Sequence, residues 1–86
     1  MANHKSAKKR IRQTLKRQER NQAIRSEARS TVKAVRTAVA AGDAEGARAG
    51  FQVAERTLRR AATKGVYKKT TVSRSISRLA KAVAGA

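Results

Sequence analysis

Apolar residues recur in three stretches of this chain, each with the spacing of one face of an α-helix. The first set stands three or four residues apart, at Ile24, Ala28, Val32, Val35 and Val39. The second has the same spacing, at Ala44, Ala47, Phe51, Ala54, Leu58 and Ala61, and the third has it at Val72, Ile76, Leu79 and Val83. This periodicity predicts three amphipathic helices.

Two glycines coincide with the breaks between these stretches. Gly42 and Gly65 predict the turns, with Gly65 as the residue that follows the last turn of the second helix. The first helix is expected from about Ser6, as its N-cap, to Ala41. Asp43 is the expected N-cap of the second helix, and either Thr70 or Thr71 is that of the third.

Short connections between three amphipathic helices predict an all-α fold, an antiparallel three-helix bundle. The first helix would span about 54 Å and the second about 32 Å, so a long part of the first has no partner. We therefore expect a single domain, 1–86. Residues 1–22 form a basic N-terminal arm that continues into the first helix, and residues 23–86 form the bundle.

Charge is distributed unevenly along this framework. The net charge is +17, and residues 1–29 hold ten Lys and Arg against two acids. Residues 38–55 hold one basic residue against three acids. A charge of this size favours a polyanionic partner. The chain is thus expected to bind a nucleic acid.

Most of the basic residues of the arm fall within one sector of the first helix, about a third of its circumference. We call this the basic sector, and it comprises Lys5, Lys8, Lys9, Arg12, Lys16 and Arg20. Arg10 and Arg17 flank it. Cations one turn apart can meet successive phosphates. The alternative is an ordinary solvated helix surface, although like charges four residues apart destabilise an isolated helix. We therefore expect the arm to become ordered when it binds an anion.

A second basic cluster surrounds the second turn and follows the third helix, at Lys64, Lys68, Lys69, Arg74, Arg78 and Lys81. Backbone N–H groups at the start of the third helix could also face a phosphate. RNA contact is one interpretation of this cluster. Helix C-capping together with surface solubility is the other.

No constellation of residues in the sequence supports catalysis. The five acids are scattered, cysteine is absent, and His4 is the only histidine, so neither an enzyme, a metal site nor a cofactor is expected. Phe51 belongs to the apolar seam of the second helix. Tyr67 could stack on a base or pack over the end of the bundle.

Three other classes of protein share some of these features. An architectural DNA-binding protein usually has dimeric symmetry or apolar wedges, and neither is visible. A membrane-binding amphipathic helix needs a wider apolar face than Ile11 and Leu15 provide. The basic N-terminus resembles a transit peptide, but nothing marks a cleavage boundary. In addition, no apolar stretch is long enough to span a membrane.

Several short segments resemble, in order and over nearly the whole chain, the bacterial ribosomal protein S20 family. They are MANHKSAKKRIRQ at 1–13, Arg20-Asn21, AGD at 41–43, AATKGV at 61–66 and SRLAK at 77–81. Each segment alone is a weak motif, and the combination is specific.

This resemblance implies a structural protein of the small (30S) ribosomal subunit, located in the cytoplasm within the ribosome. It implies direct binding of 16S rRNA, with a long first helix among RNA helices of the 5′ domain that reaches the 3′ minor domain, beside other 30S components. Carried over by position, the implied phosphate-binding residues are Lys5, Ser6, Lys8, Lys9, Arg10, Arg12, Arg17, Arg20 and Asn21.

The segment before the third helix departs from the family pattern. Members usually have Gly-(Val/Ile)-Ile-His-Lys-Asn there, and this chain has Gly65-Val66-Tyr67-Lys68-Lys69-Thr70. Lys68 replaces the histidine and Thr70 replaces the asparagine. A base-specific contact at this loop is therefore not carried over, whereas the positive charge is retained.

Overall fold

The computed structural model of this chain describes residues 2–85, with side chains from residue 4 onward. It contains three helices: α1 at Ala2–Ala40, α2 at Ala44–Thr63 and α3 at Lys69–Ala84. No strand occurs in residues 2–85. Because α1 packs on both shorter helices, the predicted all-α, three-helix bundle is confirmed. Met1 and Ala86, the two ends of the expected domain, lie outside the described residues.

Both turns are built around a glycine with positive φ, 75° at Gly42 and 77° at Gly65. In the first turn, the N–H of Asp43 donates to the carbonyl of Ala38 at 2.9 Å, and that of Gly42 donates to Val39 at 3.1 Å. The α2–α3 connection contains two hydrogen bonds of the same pattern. This is a Schellman motif, which uses otherwise unpaired carbonyls at a helix end. The two breaks predicted at glycine are therefore confirmed.

Asp43 begins α2 as predicted. Its Oδ1 accepts a hydrogen bond from the backbone N–H of Gly46 at 3.0 Å, which satisfies one of the free donors of the first turn. Glu45 also lies in that turn, where the helix dipole favours an acid. The same aspartate thus closes α1 through its backbone and starts α2 through its side chain.

Two other predicted caps are wrong. Ser6 lies inside α1, which already begins at Ala2 because no residue before Ser6 interrupts the helix. Thr70 and Thr71 lie inside α3, whose N-cap is Lys68, with no side-chain hydrogen bond. Tyr67 packs against the core immediately before this cap, and the helix starts two or three residues earlier than the threonines suggest.

The core consists of two adjoining clusters of buried residues. One contains Ala28, Leu58, Val72 and Ile76; the other contains Val35, Ala54 and Leu79. Val32 and Phe51 pack against both clusters and join them. The apolar faces predicted for all three helices are therefore the faces that pack together, and Phe51 is a core residue as expected.

The register of α1 against α2 follows from close contacts. Gly50 lies so near Val35 that a methyl group on it would stand 3.1 Å from Cγ2 of Val35. Ala28 and Leu58 share one core cluster. Both pairs fit one antiparallel register, in which the end of α2 and Lys64 lie level with Asn21. The remainder of α1, toward its N-terminus, extends past the other helices.

The extension is visible in the overall dimensions. The longest axis of the molecule is 63 Å against 21 and 14 Å for the others. With 39 residues, α1 has a length of about 58 Å, whereas the 20 residues of α2 span about 30 Å. Every side chain from residue 4 to residue 20 is exposed. These residues form no part of the core.

Candidate nucleic-acid interface

The exposed part of α1 presents the basic sector as one continuous surface. Lys5, Lys8, Lys9, Arg12 and Lys16 line a shallow depression together with Gln13. A second depression continues it toward the bundle and is lined by Gln13, Lys16, Arg17 and Arg20. The helix therefore brings together the cations that the sequence analysis assigned to one face, and it adds Arg17 to that surface.

These cations have no acidic partners in the part of the chain that the structure describes. The one ion pair found there joins Nη2 of Arg59 to Oε1 of Glu55 at 3.0 Å, on α2. Cations on this helix that have no intramolecular partners can pair with an external anion. Because they are exposed, each such pair contributes little alone, and binding depends on many of them.

Three other candidate site residues, Ser6, Arg10 and Asn21, lie near the basic sector but outside the two depressions that its cations line. Ser6 is exposed inside α1, so its hydroxyl is free of any capping role. Arg10 lies to one side, and its carbonyl accepts a hydrogen bond from Oγ1 of Thr14 at 2.9 Å. Asn21 is half-buried where α1 enters the bundle. Its Oδ1 is buried and has no hydrogen-bond partner among the described residues.

The second basic cluster divides into two groups. Lys64, Lys68 and Lys69 are exposed at the α2–α3 connection, where Lys64 is the C-cap of α2 and Lys68 the N-cap of α3. Arg74 and Arg78 are exposed along α3, as is Lys81. The antiparallel register puts the connection at the base of the arm, level with Asn21. The first group thus lies at the level where the arm leaves the bundle, and the second follows α3 toward the opposite end.

Most acidic residues lie away from this end of the molecule, where only Glu19 is on the arm and Glu27 follows just beyond its base. Asp43 and Glu45 are exposed at the α1–α2 turn, the far end of the bundle. The protein is therefore polarised, with positive charge along the arm and its base. That arrangement favours one orientation toward a polyanion.

Sequence analysis missed a groove between α1 and α3, with a volume of about 380 Å³. Its floor is apolar, formed by Ala28, Val32, Leu58, Val72 and the half-buried Tyr67. Tyr67 packs against the core as one of its two interpretations proposed. The other interpretation is that Tyr67 stacks on a base, and the side of Tyr67 that borders the groove is the one available for such stacking.

Three further cations border this groove on α1: Arg29, Lys33 and Arg36. Their spacing of four and three residues in the sequence was a signal that they share a helix face. The sequence could not indicate that this face borders an apolar groove, because that depends on where α3 lies.

Neither a metal site nor a membrane-spanning helix is found among the described residues. Within the described residues, no group of three or more His, Cys, Asp or Glu side chains is placed to hold a metal ion. His4 is exposed on the arm. None of the helices, over residues 2–85, combines the length and apolarity required to cross a bilayer.

Comparison with known proteins gives a consistent result. The family model described as ribosomal protein S20 matches residues 2–84. The small ribosomal subunit protein bS20 of Helicobacter acinonychis is 51% identical over 79 residues, 92% of this chain and 89% of that protein. The bS20 protein of Campylobacter fetus is 51% identical over 83 residues, 96% and 94% of the two chains. That of Wolinella succinogenes is 51% identical over 79 residues, 92% and 87% of the two chains.

Proposed function

Because this chain belongs to the ribosomal protein S20 family, and is thus a structural component of the small ribosomal subunit, we propose that it binds 16S rRNA directly and stabilises RNA helices during assembly. The family consists of ribosomal structural proteins and not of enzymes. Its members work within the ribosome of the cytoplasm, where rRNA and the 30S subunit are their partners.

The observation that carries the proposal is the unpaired basic sector on a helix without tertiary contacts. Every side chain from 4 to 20 is exposed, and the ion pair found among the described residues lies elsewhere. An arm of this kind has no role in folding the bundle, because it buries nothing there. Its cations are suited to replace the counterions of RNA phosphates.

In this proposal the contacts are mainly with the RNA backbone. The arm residues involved are Lys5, Ser6, Lys8, Lys9, Arg10, Arg12, Lys16, Arg17, Arg20 and Asn21. The bundle residues involved are Lys64, Lys68, Lys69, Arg74 and Arg78. Because the deep, narrow major groove of an RNA duplex hides the base edges from side chains, recognition would depend on RNA shape.

Bridging follows from the length of the arm. The exposed stretch of α1 measures about 25 Å and lies beyond the bundle, so it can enter the space between neighbouring RNA helices. Residues 1–22 would lie between RNA helices of the 5′ domain and reach the 3′ minor domain. The bundle, residues 23–86, would rest on the surface of the RNA. Contacts at the base of the arm would hold a second RNA segment.

Two charge-matched variants test the proposal. Arg12→Gln/Arg20→Gln removes two arginines eight residues apart from the arm, and Arg48→Gln/Arg56→Gln removes two with the same spacing from exposed sites on α2. Binding to a transcript of the 16S 5′ domain is measured by filter retention and by footprinting.

We expect the arm variant to bind about 10-fold more weakly at moderate salt, with the slope of log K against log salt reduced by about 1–2. It should also lose protection of the arm footprint. The α2 variant should bind within about 2-fold of the unmodified protein. Equal losses in both variants would show that only net charge matters, and would contradict a role for the arm.

A further inference from the structure

The groove between α1 and α3 has three properties that bear on what it could bind. Its volume, about 380 Å³, lies within the range of small-ligand sites, roughly 300–1,000 Å³. Its floor is apolar and includes Tyr67, the single aromatic residue of the α2–α3 connection. It is open to solvent along one side, because α1 contacts α3 less than it contacts α2.

The borders of the groove are polar and carry a single sign of charge. Arg29, Lys33 and Arg36 stand along α1 on one side, and the hydroxyls of Thr71 and Ser75 stand on α3. No acidic residue lines the groove. An apolar side chain from another protein would fit the floor but would gain nothing from three cations. An occupant with a flat apolar part and an anionic part fits both features.

We propose that this groove holds one unpaired nucleotide of the rRNA, with its base against Tyr67 and the apolar floor and its phosphate at Arg29, Lys33 and Arg36. Stacking on an aromatic ring and pairing of phosphate with Arg are the common means of binding an unstacked nucleotide. The inference rests on the proposed function and adds to it a site where RNA sequence or local structure is recognised.

A second surface feature connects the groove with the base of the arm. A further surface depression, lined by Gln18, Asn21, Gln22, Arg25, Ser26 and Arg29, runs along α1 from the groove to the base of the arm. Arg29 borders both. This depression lies on the face of α1 opposite Lys16 and Arg20, so an RNA strand that follows it from the groove would reach the base of the arm at Asn21.

The experiment uses the intrinsic fluorescence of Tyr67, since the chain contains one Tyr and no Trp. The full-length protein is titrated with the 16S 5′-domain transcript, and nucleotide reactivities of the RNA are probed chemically in parallel. Ser75→Leu places a larger apolar side chain in the groove. Ser77→Leu makes the same change two residues away, at an exposed position outside the groove. Circular dichroism establishes that both variants are folded.

We expect the transcript to quench Tyr67 fluorescence in the unmodified protein and in Ser77→Leu, and one unpaired nucleotide to change reactivity. In Ser75→Leu both signals should be lost and affinity should fall about 5- to 150-fold, the range for one stacked base. Protection of RNA by the arm should remain. Tyr67→Leu provides a second variant that keeps an apolar side chain against the core, and it should lose the same nucleotide signal, whereas Tyr67→Phe should keep it.

Two results would overturn the inference while leaving the proposed function intact. One is RNA binding with unchanged Tyr67 fluorescence and equal affinities for the Ser75→Leu and Ser77→Leu variants. The other is a groove signal that requires other 30S proteins and is absent with RNA alone, which would assign the groove to a protein partner. Failure of the unmodified protein to bind the transcript would overturn the proposed function and this inference together.

Discussion

Gly50 of α2 lies directly against Val35 of α1, and a methyl group added to Gly50 would stand 3.1 Å from Cγ2 of Val35. Val35 is fully buried, and its β-branched side chain has one strongly preferred rotamer in a helix. The two helices therefore approach each other at a point where the Val35 side chain has no room to move and position 50 has no room for a side chain. This contact sets the register that leaves the arm beyond the bundle.

Gly50→Ala should destabilise the protein despite the better helix propensity of alanine. The propensity gain is about 1 kcal/mol, but forcing a methyl group against Val35 costs about 1–3 kcal/mol. We expect a net loss of about 1 kcal/mol in the free energy of unfolding, measured by urea denaturation. Ala49→Gly, at the exposed neighbouring position, measures the propensity term in the same helix. A Gly50→Ala protein that gains the full propensity difference would disprove the close approach.

Loss of the Asp43 side chain should weaken the start of α2. Asp43→Ala removes the acceptor for the N–H of Gly46, and the expected cost is about 1 kcal/mol. Asp43→Asn keeps an oxygen at the same position and should remain close to the unmodified stability. Thermal unfolding followed by circular dichroism distinguishes the two. Equal destabilisation by both substitutions would indicate that the charge, and not the cap, is what matters.

Hydrogen exchange should divide the free protein into two parts. Amides of residues 4–20 should exchange rapidly, because their side chains bury nothing and neighbouring like charges, such as Arg12 and Lys16, weaken the helix. Amides between Val32 and Leu79 should be protected by the core. Bound RNA should slow exchange in the arm. Strong protection of the arm without RNA would contradict the expectation that binding orders it.

Binding to the 5′-domain transcript should weaken steeply as salt concentration rises. Each phosphate neutralised by Lys or Arg releases counterions, so log K should fall linearly with log salt. A slope of magnitude about 5 or more is expected if most of the basic sector takes part. An affinity that stays constant between low and high salt would exclude phosphate contacts as the main source of binding.

Much of this structure was predictable because its determinants are local. The apolar spacing in the three helices depends only on 3.6 residues per turn, and it identified the packed faces. Gly42, Asp43 and Gly65 marked both turns, since positive φ and an N-cap oxygen are properties of single residues. The caps at Ser6 and Thr70 were wrong because a cap residue acts only where the backbone leaves the helix, and neighbouring structure decided that point.

Buried Thr57 shows a similar limit of sequence reasoning. Its hydroxyl donates to the carbonyl of Val53 at 2.8 Å, so the polar group is satisfied within its own helix and can lie in the core. A pattern of apolar residues does not reveal such a position. The two glycines inside α2 likewise differ only through packing, since Gly50 is the contact with α1 whereas Gly46 lies against the Asp43 carboxylate.

The sequence alone determined the helices, the excess length of α1 and the basic sector, because each depends on residues within a few turns of one another. Only the tertiary structure decided that the α2–α3 connection lies at the base of the arm, and that Arg29, Lys33 and Arg36 border an apolar groove beside Tyr67. These relationships join residues up to about 45 positions apart along the chain. They arise from the register of α1 against α2 and from the separation of α1 and α3, which side-chain packing across all three helices sets.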